Sequence, residues 1–297
     1  MLFEIAHTTR FTYDRPVFLE PHTLRLRPRG DGVQRLSRFA LEVCPQPAGS
    51  SQCLELDGNA AVRLWFEGEH RSLTLTAESA VETAERNPFD FFLEPAALQL
   101  PLRCEGSMAG LLEPYRTPRS AEGEVAGLAR RLAREASGRT LPFLSALNTQ
   151  IHQTCAQVFR ADGDPLPPDR TLSQRQGACR DLAVLFMEAC RCMGIPARFV
   201  SGYQADAPEE EKQYLHAWAE VYLPGAGWRG YDPTRGLSVA DRHVALAAGP
   251  SHVLARPTEG SFRGTGAASR MEAQISIQTR STPSSSSEKT SPKERAQ

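Results

Sequence analysis

The chain has 297 residues, 40% hydrophobic and 23% charged, and its 34 basic and 35 acidic side chains leave a formal net charge of -1. That length supports one large domain or two smaller ones with a sizeable core, and the balanced charge gives no reason to bind nucleic acid or an anionic membrane. The N-terminal MLFEIAHTTRF lacks the basic and long apolar regions of a signal peptide, and the apolar run Leu182–Met187 is broken by Glu188 well short of a membrane span. Seven scattered cysteines, an odd number, fit reduced thiols in a cytoplasm better than a disulfide framework.

Residues 1–84 read as a β-rich domain. Phe3, Ile5 and His7 alternate with Glu4 and Ala6, and Thr8–Tyr13 continues in β-prone residues. Leu24–Arg27 alternates before the turn Pro28–Gly32, and further strands are expected at Arg38–Cys44, Ala61–Phe66 and Ser72–Val81. Short strands separated by turn signals predict a sandwich-like fold. His7 and His22 have no acid or thiol nearby in sequence and are taken as structural. Residues 85–140 form a connecting segment, rich in Pro, Leu and Phe up to Pro118, that ends in a helix over Ala121–Ser137.

A larger core is expected over 141–265. It opens with a helix over Phe143–Phe159, followed by a loop at Asp162–Asp169. The stretch QRQGACRDLAVLFMEACRCMG, Gln174 to Gly194, organises the rest. Small Gly177 and Ala178 precede Cys179, an apolar run follows from Leu182 to Cys190, and Gly194 and Pro196 end it. Cys179 is therefore placed at the first turn of a buried helix. There, the helix dipole favours thiolate over thiol, and the open N–H groups can face an oxyanion formed beside the sulfur. Asp181 suits the same helix start. Cys190 and Cys192 lack a second ligand pair and read as helix filler.

Strands are expected next at Ala197–Tyr203, Leu215–Leu223 and Trp228–Asp232, with a charged loop at 206–213 and a final strand, Ala267–Gln278, within a C-terminal segment 266–280. The polar, low-complexity residues 281–297 are expected to be disordered. In Leu215–Leu223, alternation puts His216, Trp218, Glu220 and Tyr222 on one face. The turn at Pro224–Gly227 makes a hairpin with Trp228–Asp232, which brings His216 and Asp232 to the same end. Cys179 then supplies a nucleophile, His216 a base and Asp232 an acceptor for the far ring nitrogen, as thiol acyl transfer requires. For His216 and Asp232 to share a face, opposed residue numbers must have an even sum. Leu223 opposite Trp228 gives 451 and separates them, whereas Leu223 opposite Gly227 gives 450 and sets His216 diagonal to Asp232.

GACRDLAVLFMEACRCMGIPARFVSGY and LHAWAEVYLPGAGWRGYDPTRG resemble the motifs of bacterial transglutaminase-like proteins, often described as cysteine proteases. The resemblance covers about residues 141–250, with the catalytic positions on Cys179, His216 and Asp232, and the first 84 residues resemble the β-rich N-terminal region of such proteins. It implies an α+β fold, in which a papain-like core packs a Cys-bearing helix on an antiparallel sheet. It also implies acyl transfer from amide bonds of a peptide or protein substrate through a thioester, resolved by an amine or by water, with no metal or organic cofactor. A papain-like enzyme places a Gln shortly before its Cys, which makes Gln174 a candidate oxyanion donor at a spacing of five rather than six. Trp218 and Tyr203 are candidates to line the acyl site or to pack. A catalytically silent peptide-binding module on the same scaffold is the competing reading.

Overall fold

The computed structural model describes all residues except 85–86, 105, 120, 161, 206–212, 265 and 282–297. Of the loop expected at 206–213 only Gln213 falls among the described residues, and of the tail only Ser281.

The alternation that starts at Phe3 runs on to Leu19, giving an 18-residue strand, β1 (Leu2–Leu19). It is followed by β2 (His22–Leu24), β3 (Gln34–Cys44), β4 (Gly49–Leu54), β5 (Ala60–Trp65) and β6 (Glu69–Thr83). β4, a run of Gly, Ser and Gln, has no apolar alternation and was not expected; its pairing with β5 defines it. β1 pairs with β6 and β6 with β3, while β2, β5 and β4 form a second sheet. Tyr13, Val17, Leu19, Leu24, Leu64, Leu73 and Leu75 form the apolar cluster shared by the two sheets.

The connecting segment holds an unexpected helix, α1 (Ser107–Arg116), which accommodates Pro114. α2 (Glu124–Glu135) and α3 (Thr140–Thr154) lie inside the expected limits or close to them, but α3 stops before Phe159. The chain instead forms β7 (Ala156–Gln157), which pairs in parallel with β8 (Gln176–Gly177) after the short α4 (Pro168–Gln174). Then come α5 (Cys179–Cys192), β9 (Ala197–Gln204), β10 (His216–Leu223), β11 (Gly227–Asp232), β12 (Leu237–Ser238) and β13 (His243–Gly249). These last five strands make an antiparallel sheet in the order β12-β11-β10-β9-β13. α5 is buried over Asp181–Cys190 and packs Leu182, Leu185, Phe186 and Ala189 into one cluster with Ala217, Ala219, Val221 and Tyr231 of the sheet. A helix apolar on nearly every side is stable only when covered in this way.

The chain then returns to its beginning. β14 (Thr258–Glu259) joins β2, while β15 (Phe262–Arg263) and β16 (Ser269–Arg280) both join β1. The expected last strand is thus part of the N-terminal sheet, opposed residue by residue to Leu2–Tyr13.

β13 is an edge strand, and unpaired edges invite association. Two amide side chains from the N-terminal sheets cover it. Ala245 N–H donates to Gln34 Oε1 (2.8 Å) while Gln34 Nε2 donates to Ala245 O (2.9 Å). Asn59 repeats the pattern on Ala248, at 2.8 Å in both directions. Each amide imitates one residue of a neighbouring strand. Phe3, Ile5, Val81, Ile275 and Ile277 complete the junction against Tyr203, Val244 and Leu246.

His7 lies in this junction, hydrogen-bonded to Tyr203 Oη (2.9 Å) and to Thr9 Oγ1 (3.1 Å). Burial lowers its pKa from 6.5 to about 4. The unfolded chain therefore takes up a proton at this residue below about pH 6.5 that the folded chain refuses until about pH 4. Folding stability should fall across that window as pH is lowered. In chemical denaturation at several pH values, His7→Gln should show a shallower decline than the parent, and parallel declines would contradict the assignment.

Candidate active site

The start of α5 is held by one carboxylate. Asp181 Oδ2 accepts the Ala178 N–H (2.8 Å), and its Oδ1 accepts from Leu166 N–H and Arg160 Nη2, each at 2.8 Å. Asp181 thus satisfies a backbone donor before the first turn and ties the preceding loop to the helix. Gly177 is needed for close approach, since a Cβ there would stand 2.8 Å from Asp181 Cβ. These contacts fix Cys179 as the first helical residue, half-buried. Arg180 extends the anchoring through bonds to Arg160 O (2.9 Å) and Asp162 O (2.6 Å).

β10 and β11 pair with Leu223 opposite Gly227 and Ala219 opposite Tyr231, so opposed residue numbers sum to 450. The loop has three residues and the register is even, as a shared face for His216 and Asp232 requires. His216 Nε2–H donates to Asp232 Oδ2 at 2.7 Å. That leaves Nδ1 as the ring nitrogen able to serve Cys179, whose thiol pKa the His216 ring and the Ala217 N–H lower.

Asp232 is fully buried. Its Oδ1 accepts the N–H groups of Thr234 (2.9 Å) and Arg235 (3.2 Å) in the turn after β11. Its Oδ2 accepts a second imidazole besides His216, from His243 Nε2 at 3.1 Å. Sequence reasoning missed His243. It opens β13, the Ala-rich strand HVALAAG, whose residue types signal no strand. A histidine beginning an apolar run shortly after the hairpin was the available signal.

The electrostatics follow from these contacts. Burial works against the Asp232 carboxylate, but the charge and hydrogen bond of His216, and then the hydrogen bond of His243, hold it well below the usual carboxylate range. Burial likewise opposes a charged His216. The charge and hydrogen bond of Asp232 outweigh it, with Cys179 adding to them, and push the ring's pKa up. For Cys179, burial raises the pKa while the hydrogen bond and charge of His216, the Ala217 N–H and the charge of Arg180 lower it; the net direction is down. Both shifts move the pair toward thiolate and imidazolium.

His216, Asp232 and His243 place three potential ligand atoms within 4.8 Å of one another. Both Nε2 atoms are engaged with the same carboxylate oxygen, so a metal ion would have to break that arrangement. The remaining candidates lie elsewhere. Gln174 sits exposed at the end of α4. Tyr203 is fully buried in the junction with the N-terminal sheets, bonded to His7, and does not face an open site. Trp218, also fully buried, lies parallel to the His216 ring (centroids 6.2 Å apart) and edge-on to that of His243 (5.1 Å). Of the two readings for these aromatics, packing describes both. Gly202, opposite His216, makes room for the indole: a Cβ there would meet Trp218 at 2.6 Å.

Residues 3–82 match the family model of the bacterial transglutaminase-like N-terminal region, and residues 126–233 match that of the transglutaminase-like superfamily. Residues 126–233 form a transglutaminase-like superfamily core. The superfamily match contains Cys179, His216 and Asp232 and ends before His243. An uncharacterized protein of Mycobacterium leprae is 26% identical over 283 residues, covering 89% of this chain and 94% of its own. A Pseudomonas aeruginosa protein-glutamine gamma-glutamyltransferase is 33% identical over 111 residues, which are 34% of this chain and 17% of the relative. Among solved structures, a Cytophaga hutchinsonii protein described as a "putative cysteine protease" superposes with a TM-score of 0.68 at 21% identity, over 95% of this chain and 93% of that one. The last likeness is one of fold.

Asp181→Ala should remove the helix-start cap and leave Arg160 without its carboxylate. We expect a loss of about 2–4 kcal/mol in denaturant unfolding. A change below about 0.5 kcal/mol, the range of neutral surface substitutions, would contradict the anchoring role.

Proposed function

We propose that this protein is a cysteine acyl-transfer enzyme acting on amide bonds of peptides or proteins, with Cys179, His216 and Asp232 as its triad. The observation that carries the reading is His216, hydrogen-bonded to a fully buried carboxylate and lowering the pKa of a half-buried thiol at a helix start.

In this reading the Cys179 thiolate attacks the carbonyl carbon of the amide. The carbonyl π electrons move to oxygen, and the Cys179 N–H at the start of α5 is a donor for the oxyanion. The imidazolium of His216 gives its proton to the leaving nitrogen as the C–N bond breaks, leaving a thioester on Cys179. An incoming amine or water attacks that thioester and loses its proton to His216, and the thiolate departs with its electron pair. Asp232 orients the ring and stabilises the imidazolium before and after each transfer. An amine acceptor gives crosslinking or ligation; the Pseudomonas aeruginosa relative is by name a protein-glutamine gamma-glutamyltransferase. A water acceptor gives deamidation or proteolysis by the same intermediate.

The test is incubation with a glutamine-containing peptide, with and without a primary amine, followed by mass spectrometry. The expected result is an amine adduct or hydrolysis product that disappears in Cys179→Ala, a substitution small enough to leave the helix start intact. Equal turnover by Cys179→Ala would overturn the assignment. Absence of all three products across varied peptides, with Cys179 no more reactive than other thiols, would favour a silent binding module.

A further inference from the structure

The superfamily match ends at residue 233, yet the carboxylate that serves His216 is held by a fourth side chain beyond it. We infer that His243 is a positioning residue, which acts through Asp232 to keep His216 aligned and charged beside Cys179. This inference rests on the proposed role of Cys179 as nucleophile.

The geometry assigns His243 its state. Its Nε2 faces Asp232 Oδ2 at 3.1 Å and must donate, because an ionised carboxylate only accepts. Its Nδ1 is buried with no hydrogen-bond partner among the described residues. A proton there would be an unpaired buried donor on a charged ring, which is costly, so the arrangement suits a neutral imidazole with its hydrogen on Nε2. Asp232 is thus reached by four N–H groups: two backbone donors on Oδ1, with His216 and His243 sharing Oδ2. A fully buried carboxylate stays ionised and fixed only while such donors surround it. With His243 removed, its negative charge is less stabilised and Oδ2 is free to rotate away from His216. The imidazolium then loses support, and the population of Cys179 thiolate with it.

The position of His243 is set from a distance. It begins β13, and β13 is held by Gln34 of β3 at Ala245 and by Asn59, in the turn before β5, at Ala248. Trp218 packs against both imidazoles. The residues before position 84 and after position 233 are in this way part of the alignment of Asp232, although neither region supplies a member of the triad.

Three substitutions separate positioning from packing. His243→Gln can place an amide N–H where Nε2 lies; His243→Asn is polar but too short to reach; His243→Met fills the volume without a donor. The readout is the rate at which iodoacetamide labels Cys179 in the intact folded chain, followed by peptide mass spectrometry across a range of pH. Thermal melting confirms that each variant is folded. In the parent, Cys179 should label well ahead of the other six cysteines at neutral pH. His243→Gln should stay within about threefold of the parent. His243→Asn and His243→Met should label about tenfold more slowly near pH 7, with their profiles moved up by about one pH unit. If His243→Met does not fold, the Gln and Asn pair makes the same comparison. Parent-like labelling in folded His243→Asn or His243→Met would overturn the positioning role while leaving the nucleophile assignment standing. A parent Cys179 that labels no faster than the other thiols would overturn the nucleophile assignment itself, and this inference with it.

Discussion

The fully buried carboxylate of Asp232 is the constraint to which most of the site answers. An ionised oxygen pair withdrawn from water is unstable without donors, and four N–H groups supply them. Two come from the turn that follows β11, which explains why the chain bends sharply at Pro233 with Thr234 and Arg235 facing back. The other two are imidazoles from β10 and β13. The hairpin register, the turn after it and the start of the edge strand are therefore tied to one atom group. A shift by a single residue in any of them would leave a buried charge unsatisfied.

The contrast between cysteines on α5 shows how far position outweighs residue type. Cys190, fully buried eleven residues further along the helix, has its pKa pushed well up by burial, and burial pushes that of Cys192 to about 11. Cys179 feels the same burial cost, but His216, the Ala217 N–H and Arg180 more than offset it. Placement at the helix start makes this possible, because there the thiol lies at the edge of the apolar cluster, half-buried and within reach of β10. Asp181 and Gly177 secure that placement from the sequence side.

Much of this was legible in the sequence because it rests on local rules. The helix start at Cys179 follows from Gly177, Ala178 and Asp181, the facing of His216 from alternation in LHAWAEVYL, and its meeting with Asp232 from the parity of a hairpin. The elements that were missed depend on partners distant in the chain. β4 has no apolar pattern and exists through β5; β13 is built of alanines and is recognised as a strand by its pairing with β9 and its two amide clamps. His243 was missed for the same reason: its significance arises from a contact with Asp232, and the strand that delivers it is only weakly encoded in local propensity. The return of β16 to β1, across nearly the whole chain, is likewise a long-range pairing that short-range periodicity does not announce. Tyr203 lies buried in the junction with the N-terminal sheets, and Trp218 packs against both imidazoles.

The central claim is that Cys179 rests as a thiolate paired with imidazolium. The most direct measurement is the ultraviolet absorbance of thiolate, taken as the difference between the parent and Cys179→Ala across a pH titration. The account predicts a thiolate signal already present at neutral pH, lost only on acidification, and absent near neutrality in His216→Ala. A difference signal that emerges only near the ordinary thiol value of about 8.5, unchanged by His216→Ala, would contradict it.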